Sequence, residues 1–127
     1  MNVVDSSGWL EYFADGLNAK NFSEAIEDLD QLIVPIISVY EVFKKVIQQK
    51  DENSGLQAVA LMKQGRVIEL DESTALLAAK LSLQHKLPMA DSLMLAAARS
   101  HQALLWTQDS DFKGLDGVKY FPRRKSK

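Results

Sequence analysis

Five carboxylates occupy positions at which acids do chemistry more readily than they do structure: Asp5, Glu41, Asp91, Asp109 and Asp111. Asp5 and Asp109 each follow an apolar run directly, Asp111 lies two residues beyond Asp109, and Glu41 and Asp91 fall near the starts of helical patterns. Each alone has a plainer explanation. Asp5 could cap the helix at Trp9, Glu41 could answer Ser38 in a capping box, Asp91 could complement a helix dipole, and the Asp109 and Asp111 pair could be a solvated turn. Those explanations do not account for all five falling at one edge of the fold that the chain's periodicity predicts. Carboxylates brought together repel one another, so a cluster persists only if a cation neutralises it or protons stay on. Two of these acids sit at positive helix ends, which favours the ionised form and therefore the cation. The chain has no Cys and two His, so the donors are oxygens or imidazoles. Oxygen donors suit Mg²⁺ or Mn²⁺, hard ions that keep several waters and take one or two carboxylates plus a substrate phosphate. That combination serves phosphodiester or phosphoryl chemistry.

The elements that must position these acids follow from periodicity. Val3-Val4 starts a strand; Asp5-Ser6-Ser7-Gly8 forms a loop; a helix covers Trp9 to Phe13, and a polar helix runs from about Phe22 to Leu29. Leu32 to Ile37 is an almost continuous apolar run, suited to a strand buried on both faces although Pro35 interrupts it. Ser38-Val39-Tyr40-Glu41 has the capping-box pattern and predicts a helix from Ser38 to about Lys50. Further helices are expected from Leu56 to Lys63, from an Asp71 cap to about Lys86, and from Pro88 to about Ser100. Strands are expected at Val67 to Leu70, Leu104 to Thr107, and Val118 to Phe121. Strands alternating with helices predict an α/β fold, a central parallel sheet of four to five strands flanked by helices on both sides. In such sheets ligands bind off the carboxyl ends of the strands, which is where the acids converge.

Composition sets the outer limits. At 127 residues, 46% apolar and 25% charged, the chain is expected to be one globular domain over 1–127 with a short basic tail at 123–127. No apolar run is long enough to cross a bilayer, and Asp5 breaks the first apolar stretch before it could act as a signal peptide, so a cytoplasmic location is expected. The net charge of −2 neither indicates nor excludes a nucleic-acid partner, because a sum over the chain hides an acidic cleft beside a basic rim.

Four motifs in order, Val4-Asp5-Ser6, Ser38-Val39-Tyr40-Glu41-Val42, Pro88-Met89-Ala90-Asp91-Ser92 and Trp106-Thr107-Gln108-Asp109-Ser110-Asp111-Phe112, resemble the PIN-domain ribonucleases, and most nearly the VapC-type toxins of bacterial toxin–antitoxin pairs. The resemblance covers essentially the whole chain and implies a single-domain PIN-like fold. It also implies an endoribonuclease dependent on Mg²⁺ or Mn²⁺, often a homodimer, held inactive by a cognate antitoxin. Asp5, Glu41, Asp91 and Asp109 would take the acidic catalytic and metal-binding positions, with Asp109, Asp111 or both at the variable fourth one. Where the family often carries Thr-Asn after its first Asp, this chain has Ser6-Ser7.

Ser6 and Thr107 are candidates to hydrogen-bond a ligand carboxylate or a phosphate, or else to satisfy local backbone. For RNA contact the candidates are Lys44 and Lys45, then the tail Arg123, Arg124, Lys125 and Lys127. Trp9, Tyr12 and Phe13 form a stripe read first as core and second as a groove for an antitoxin helix. His85 and His101 fall near helix ends and read as surface residues. Three other readings compete. A receiver-like signalling domain would use Asp71 as phosphoacceptor and Lys119 as its lysine, but leaves Glu41 and Asp91 idle. A phosphatase could use Asp109-Ser110-Asp111, although that motif usually follows a first strand. An inactive PIN-like binding module would keep the acids without the activity.

Overall fold

The apolar runs pair side by side in a computed structural model that describes residues 1–124. Five strands result: β1 (Asn2–Val4), β2 (Leu32–Pro35), β3 (Arg66–Ile68), β4 (Leu104–Thr107) and β5 (Val118–Tyr120). Their order is β3-β2-β1-β4-β5 and every neighbouring pair is parallel, with Val3 beside Ile33 and Val4 beside Trp106. The helices between them are α1 (Ser6–Phe13), α2 (Ala19–Ile26), α3 (Ile36–Gln49), α4 (Glu52–Met62), α5 (Glu72–His85) and α6 (Met89–Ser100).

Alternation along the strands sends successive side chains to opposite faces. Val3, Ile33 and Leu105 pack with Ala78 and Leu81 of α5 and with Met94 and Leu95 of α6. Val4, Leu32, Val34 and Trp106 pack on the other side with Trp9, Phe22, Val42, Ala58 and Met62, which come from α1 to α4. Both faces are therefore covered, which is why the central strands read as unbroken apolar runs. The fold is α/β with a parallel sheet and helices on both sides.

Chain direction places the site. From β1 the chain builds β2 and β3 on one side, then crosses to β4 and β5 on the other, so a topological switch point lies between β1 and β4. Asp5 follows β1 directly and Asp109 lies two residues after β4 ends at Thr107, on the two sides of that crevice. Gly8 lets α1 begin close against the sheet: a Cβ there would lie 2.6 Å from Val4 Cγ1 and 2.8 Å from the Phe22 ring.

Several boundaries differ from those the sequence predicts. The 5–8 segment is no loop: α1 starts at Ser6 with Asp5 as its N-cap. The second helix starts at Ala19 instead of Phe22, and α4 starts at Glu52 because Asp51 accepts a hydrogen bond from Ser54 N at 2.7 Å. The largest change is between β2 and α3. The strand stops at Pro35, whose missing N–H and extended conformation suit an N-cap, and the helix begins at Ile36 instead of Ser38. Ser38 is buried and donates to Pro35 O at 2.7 Å, so no capping box forms and the Glu41 carboxylate is free for another partner. Among the described residues no helix is long and apolar enough to cross a membrane.

Candidate functional site

Asp5 is the most constrained acid. It is 4% exposed; Oδ1 accepts from Gly8 N at 3.1 Å and Ser7 Oγ at 2.7 Å, and Oδ2 accepts from Thr107 Oγ1 at 2.8 Å. The helix-cap explanation and the cluster explanation thus hold at once, because one oxygen caps α1 while the other meets the end of β4. Burial pushes its carboxyl up to about 6; the bonds from Ser7, Thr107 and Gly8 work against that rise, and the charge of Asp109 adds to it.

Asp91 lies in the first turn of α6, half-buried. Its carboxyl is pushed up to about 7, first by burial and then by the charges of Asp109, Asp5, Asp111 and Glu41. The electrostatic neighbours of Asp91 are thus the other four acids singled out in the sequence. Asp91, Asp109 and Asp111 come closest together: one carboxylate oxygen from each lies within 4.8 Å of the others. Asp109 caps a short 3₁₀ turn (Ser110–Phe112) by accepting from Asp111 N at 2.9 Å, and its own N–H donates to Thr107 Oγ1 at 2.9 Å. Asp5 and Glu41 stand outside the 4.8 Å group but within electrostatic reach of it. Glu41, in the second turn of α3, accepts from Ser6 Oγ at 2.5 Å.

The two hydroxyls named from sequence therefore serve different acids, Ser6 holding Glu41 and Thr107 holding Asp5. Sequence reasoning passed over Ser7, whose signal was its place two residues after Asp5, where a hydroxyl reaches back to a capping carboxylate. Nothing in the local sequence marked Gln108 and Asn18, which are buried and bonded to each other at 3.0 Å.

A donor set of oxygens alone fits a hard divalent cation: burial is the larger cause of the raised Asp91 carboxyl, and binding would relieve the part that comes from its neighbours' charges. Glu41 also borders an open recess of about 160 Å³ with Tyr40, Lys44, Lys45 and Gln48. Both lysines are exposed, and Lys44 Nζ sits 5.7 Å from the Tyr40 ring centre. Arg123 and Arg124 are exposed beyond β5, and Lys125 and Lys127 lie outside the described residues.

A larger groove of about 450 Å³ lies away from the acids, between α1, α3 and α4, lined by Leu10, Phe13, Ala14, Val46, Ala58 and Leu61 among others. In the aromatic stripe, Trp9 is buried and stacks on Phe13 at 5.7 Å, whereas Phe13 also borders this groove. His101 Nδ1 is 3.0 Å from Ala97 O, and neither His joins the acidic group. Asp71 caps α5 through Thr74 N at 2.8 Å, and Lys119 Nζ lies 4.1 Å from the Trp106 ring centre, so the two residues that a receiver would need are engaged elsewhere.

The family model described as PIN domain matches residues 3–118. Among solved structures, a toxin-antitoxin complex from Klebsiella pneumoniae aligns with a TM-score of 0.78 at 24% identity, covering 94% of this chain and 96% of that one. The Sarcin-Ricin loop cleaving toxin VapC20 of Mycobacterium tuberculosis aligns with a TM-score of 0.76 at 14% identity, over 91% of this chain and 95% of that one. VapBC2 from Rickettsia felis, bound to a DNA fragment from its promoter, gives 0.73 at 12% identity, over 95% and 97%. At these identities the likeness is one of fold. Curated sequences gave no match.

Proposed function

The chain belongs to the PIN domain family, and on that premise we propose that it is a metal-dependent endoribonuclease, the toxin of a toxin–antitoxin pair. The observation that carries the reading is the meeting of Asp91, Asp109 and Asp111 oxygens within 4.8 Å at the switch point, with Asp5 and Glu41 close enough to lift Asp91. Asp91, Asp109 and Asp111 would hold Mg²⁺ or Mn²⁺, and Asp5 and Glu41 would complete the negative charge around it. The ion, when bound, supplies Lewis acidity toward a phosphate oxygen and toward water.

The chain's own residues do the rest. Ser6 fixes the Glu41 carboxylate, and Ser7 and Thr107 fix both oxygens of Asp5, so these two of the five acids are held in place before substrate arrives. The Asp91 carboxyl, pushed up to about 7 by burial and by the neighbouring carboxylates, would have to give up its proton for the ion to bind. Lys44 and Lys45 would contact RNA phosphates, a role supported by the recess that they share with Glu41. RNA as the substrate is supported by the family resemblance and by the Sarcin-Ricin loop cleavage of VapC20, and an RNA substrate fits a cytoplasmic location.

Partners belong to the same reading. The complexes similar in fold support an antitoxin, and the groove bordered by Leu10, Phe13 and Leu61 has the apolar lining an amphipathic helix needs. A homodimer is supported by exposed Ile36 and Leu70, which border one shallow recess, and by exposed Leu76 and Leu83 along α5.

Incubation of the purified chain with RNA and Mg²⁺ or Mn²⁺, beside chelator and an Asp5→Asn variant, tests the activity. Internal cuts leaving 5′-phosphate and 3′-hydroxyl ends, lost in chelator and in the variant, are expected. Cutting that persists in chelator, or ends in cyclic phosphate, would show a different chemistry.

A further inference from the structure

We propose that Gln108 is a positioning residue: its buried carboxamide, clasped by Asn18 and Glu11, sets the spacing of Asp5 against Asp109 and thereby the affinity of the acidic site for a divalent ion. The inference rests on the metal reading and adds a determinant outside the acids themselves.

Gln108 stands between Thr107 and Asp109 and is 3% exposed. Its Oε1 accepts from Asn18 Nδ2 at 3.0 Å, and its Nε2 donates to Ser7 O at 3.4 Å and Glu11 Oε1 at 3.5 Å. Asn18, 1% exposed, spends its second amide hydrogen on Pro122 O at 2.9 Å and accepts from Asn21 Nδ2 at 3.2 Å. Its backbone N–H donates to Glu11 Oε2 at 2.7 Å. The Glu11 carboxylate lies over Gly16, where any Cβ would collide with it. Both hydrogens of each carboxamide are thus used, across segments 90 or more residues apart. A buried polar pair of this kind stabilises little relative to apolar side chains of the same shape, because desolvation offsets the bonds. What it supplies is a fixed geometry.

That geometry reaches Asp5 by two routes. The N–H of Gln108 itself donates to Ser7 Oγ at 3.4 Å, and Ser7 Oγ donates to Asp5 Oδ1 at 2.7 Å. The next N–H, that of Asp109, donates to Thr107 Oγ1 at 2.9 Å, and Thr107 Oγ1 donates to Asp5 Oδ2 at 2.8 Å. Two successive backbone amides therefore orient two hydroxyls, and these hold the two oxygens of one carboxylate. A shift of the 107–109 backbone would turn the Asp5 carboxylate and carry Asp109 away from it together.

The test is calorimetric titration of the metal-free full chain with Mn²⁺, comparing wild type, Gln108→Met and Asn18→Ser, with thermal denaturation in chelator beside it. Methionine keeps the length and volume of the glutamine without its hydrogen bonds. Weakening of Mn²⁺ binding by about tenfold in Gln108→Met is expected, the lower end of what partners of metal ligands contribute. Asn18→Ser, which removes the clasp and leaves Gln108 in place, should weaken binding in the same direction and keeps the proposal testable if the first variant does not fold. Mn²⁺ affinity equal to wild type in a folded variant, whatever its melting temperature, overturns the proposal, since a merely structural role moves stability alone. Wild-type protein that binds no Mn²⁺ overturns the metal reading and this inference with it. Wild-type binding left unchanged by both substitutions overturns this inference alone.

Discussion

Replacing Asp5 by Asn should stabilise the metal-free protein while abolishing its function, and the size of the effect follows from the site. The Asp5 carboxyl is buried and pushed from 3.8 up to about 6. At about 1.4 kcal/mol per pH unit, holding it ionised in the folded state at pH 8 costs about 3 kcal/mol relative to the unfolded chain. Asparagine removes that cost. Its Oδ1 can still accept from Gly8 N and Ser7 Oγ, but its amide faces Thr107 Oγ1, which already accepts from Asp109 N. The Thr107 hydroxyl hydrogen then lacks a partner, a loss of about 1 kcal/mol. A net gain of about 2 kcal/mol corresponds to about 8 °C in melting temperature for a domain of this size. Because the folded pKa lies above the unfolded one, the folded chain binds more protons between about pH 4 and pH 6. Wild-type stability therefore falls as pH rises through that window, and the advantage of the variant grows through it and is absent near pH 4. Thermal denaturation in chelator at pH 4, 6 and 8 reads this directly. Added Mg²⁺ should reverse the order at pH 8, since wild type gains binding energy that the variant lacks. A variant that melts below wild type in chelator at pH 8, or a difference that ignores pH, would refute the claim that this carboxylate is held ionised against its surroundings.

The protons on Asp91 and Asp5 must leave when a cation binds, so Mn²⁺ affinity should fall by about 20-fold between pH 8 and pH 6, given carboxyls at about 7 and about 6; calorimetric affinity that does not change with pH would contradict the coupling. Gly8→Ala should destabilise the fold by about 1–3 kcal/mol, because the new methyl meets Val4 and Phe22 in a filled core. An unchanged melting temperature would show that α1 does not sit that close to β1. Charge reversal at Lys44 and Lys45, made on the Asp5→Asn background to prevent cleavage, should weaken RNA binding and lower its salt slope by about 0.7 for each phosphate that is no longer neutralised. Fluorescence anisotropy across a salt series measures this, and an unaltered slope would remove both lysines from the RNA path.

The α/β class and the parallel sheet were legible in the chain itself, because strands buried on both faces must be apolar throughout and Leu32 to Val34 and Leu104 to Trp106 meet that demand. Strand direction then carried acids placed after β1 and β4 to one edge, with no knowledge of side-chain positions required. The β2 to α3 boundary misleads for a local reason: Ser38 and Glu41 have capping-box spacing, but Pro35 supplies an extended, donor-free N-cap three residues earlier. Only the tertiary structure decided which acids stand closest, that Ser6 serves Glu41 while Ser7 and Thr107 serve Asp5, and that Gln108 finds Asn18 across 90 residues of chain. Periodicity records which face of an element is buried, a property of near neighbours. The partner of a polar atom within that face depends on how separate elements pack, and no local pattern carries that information.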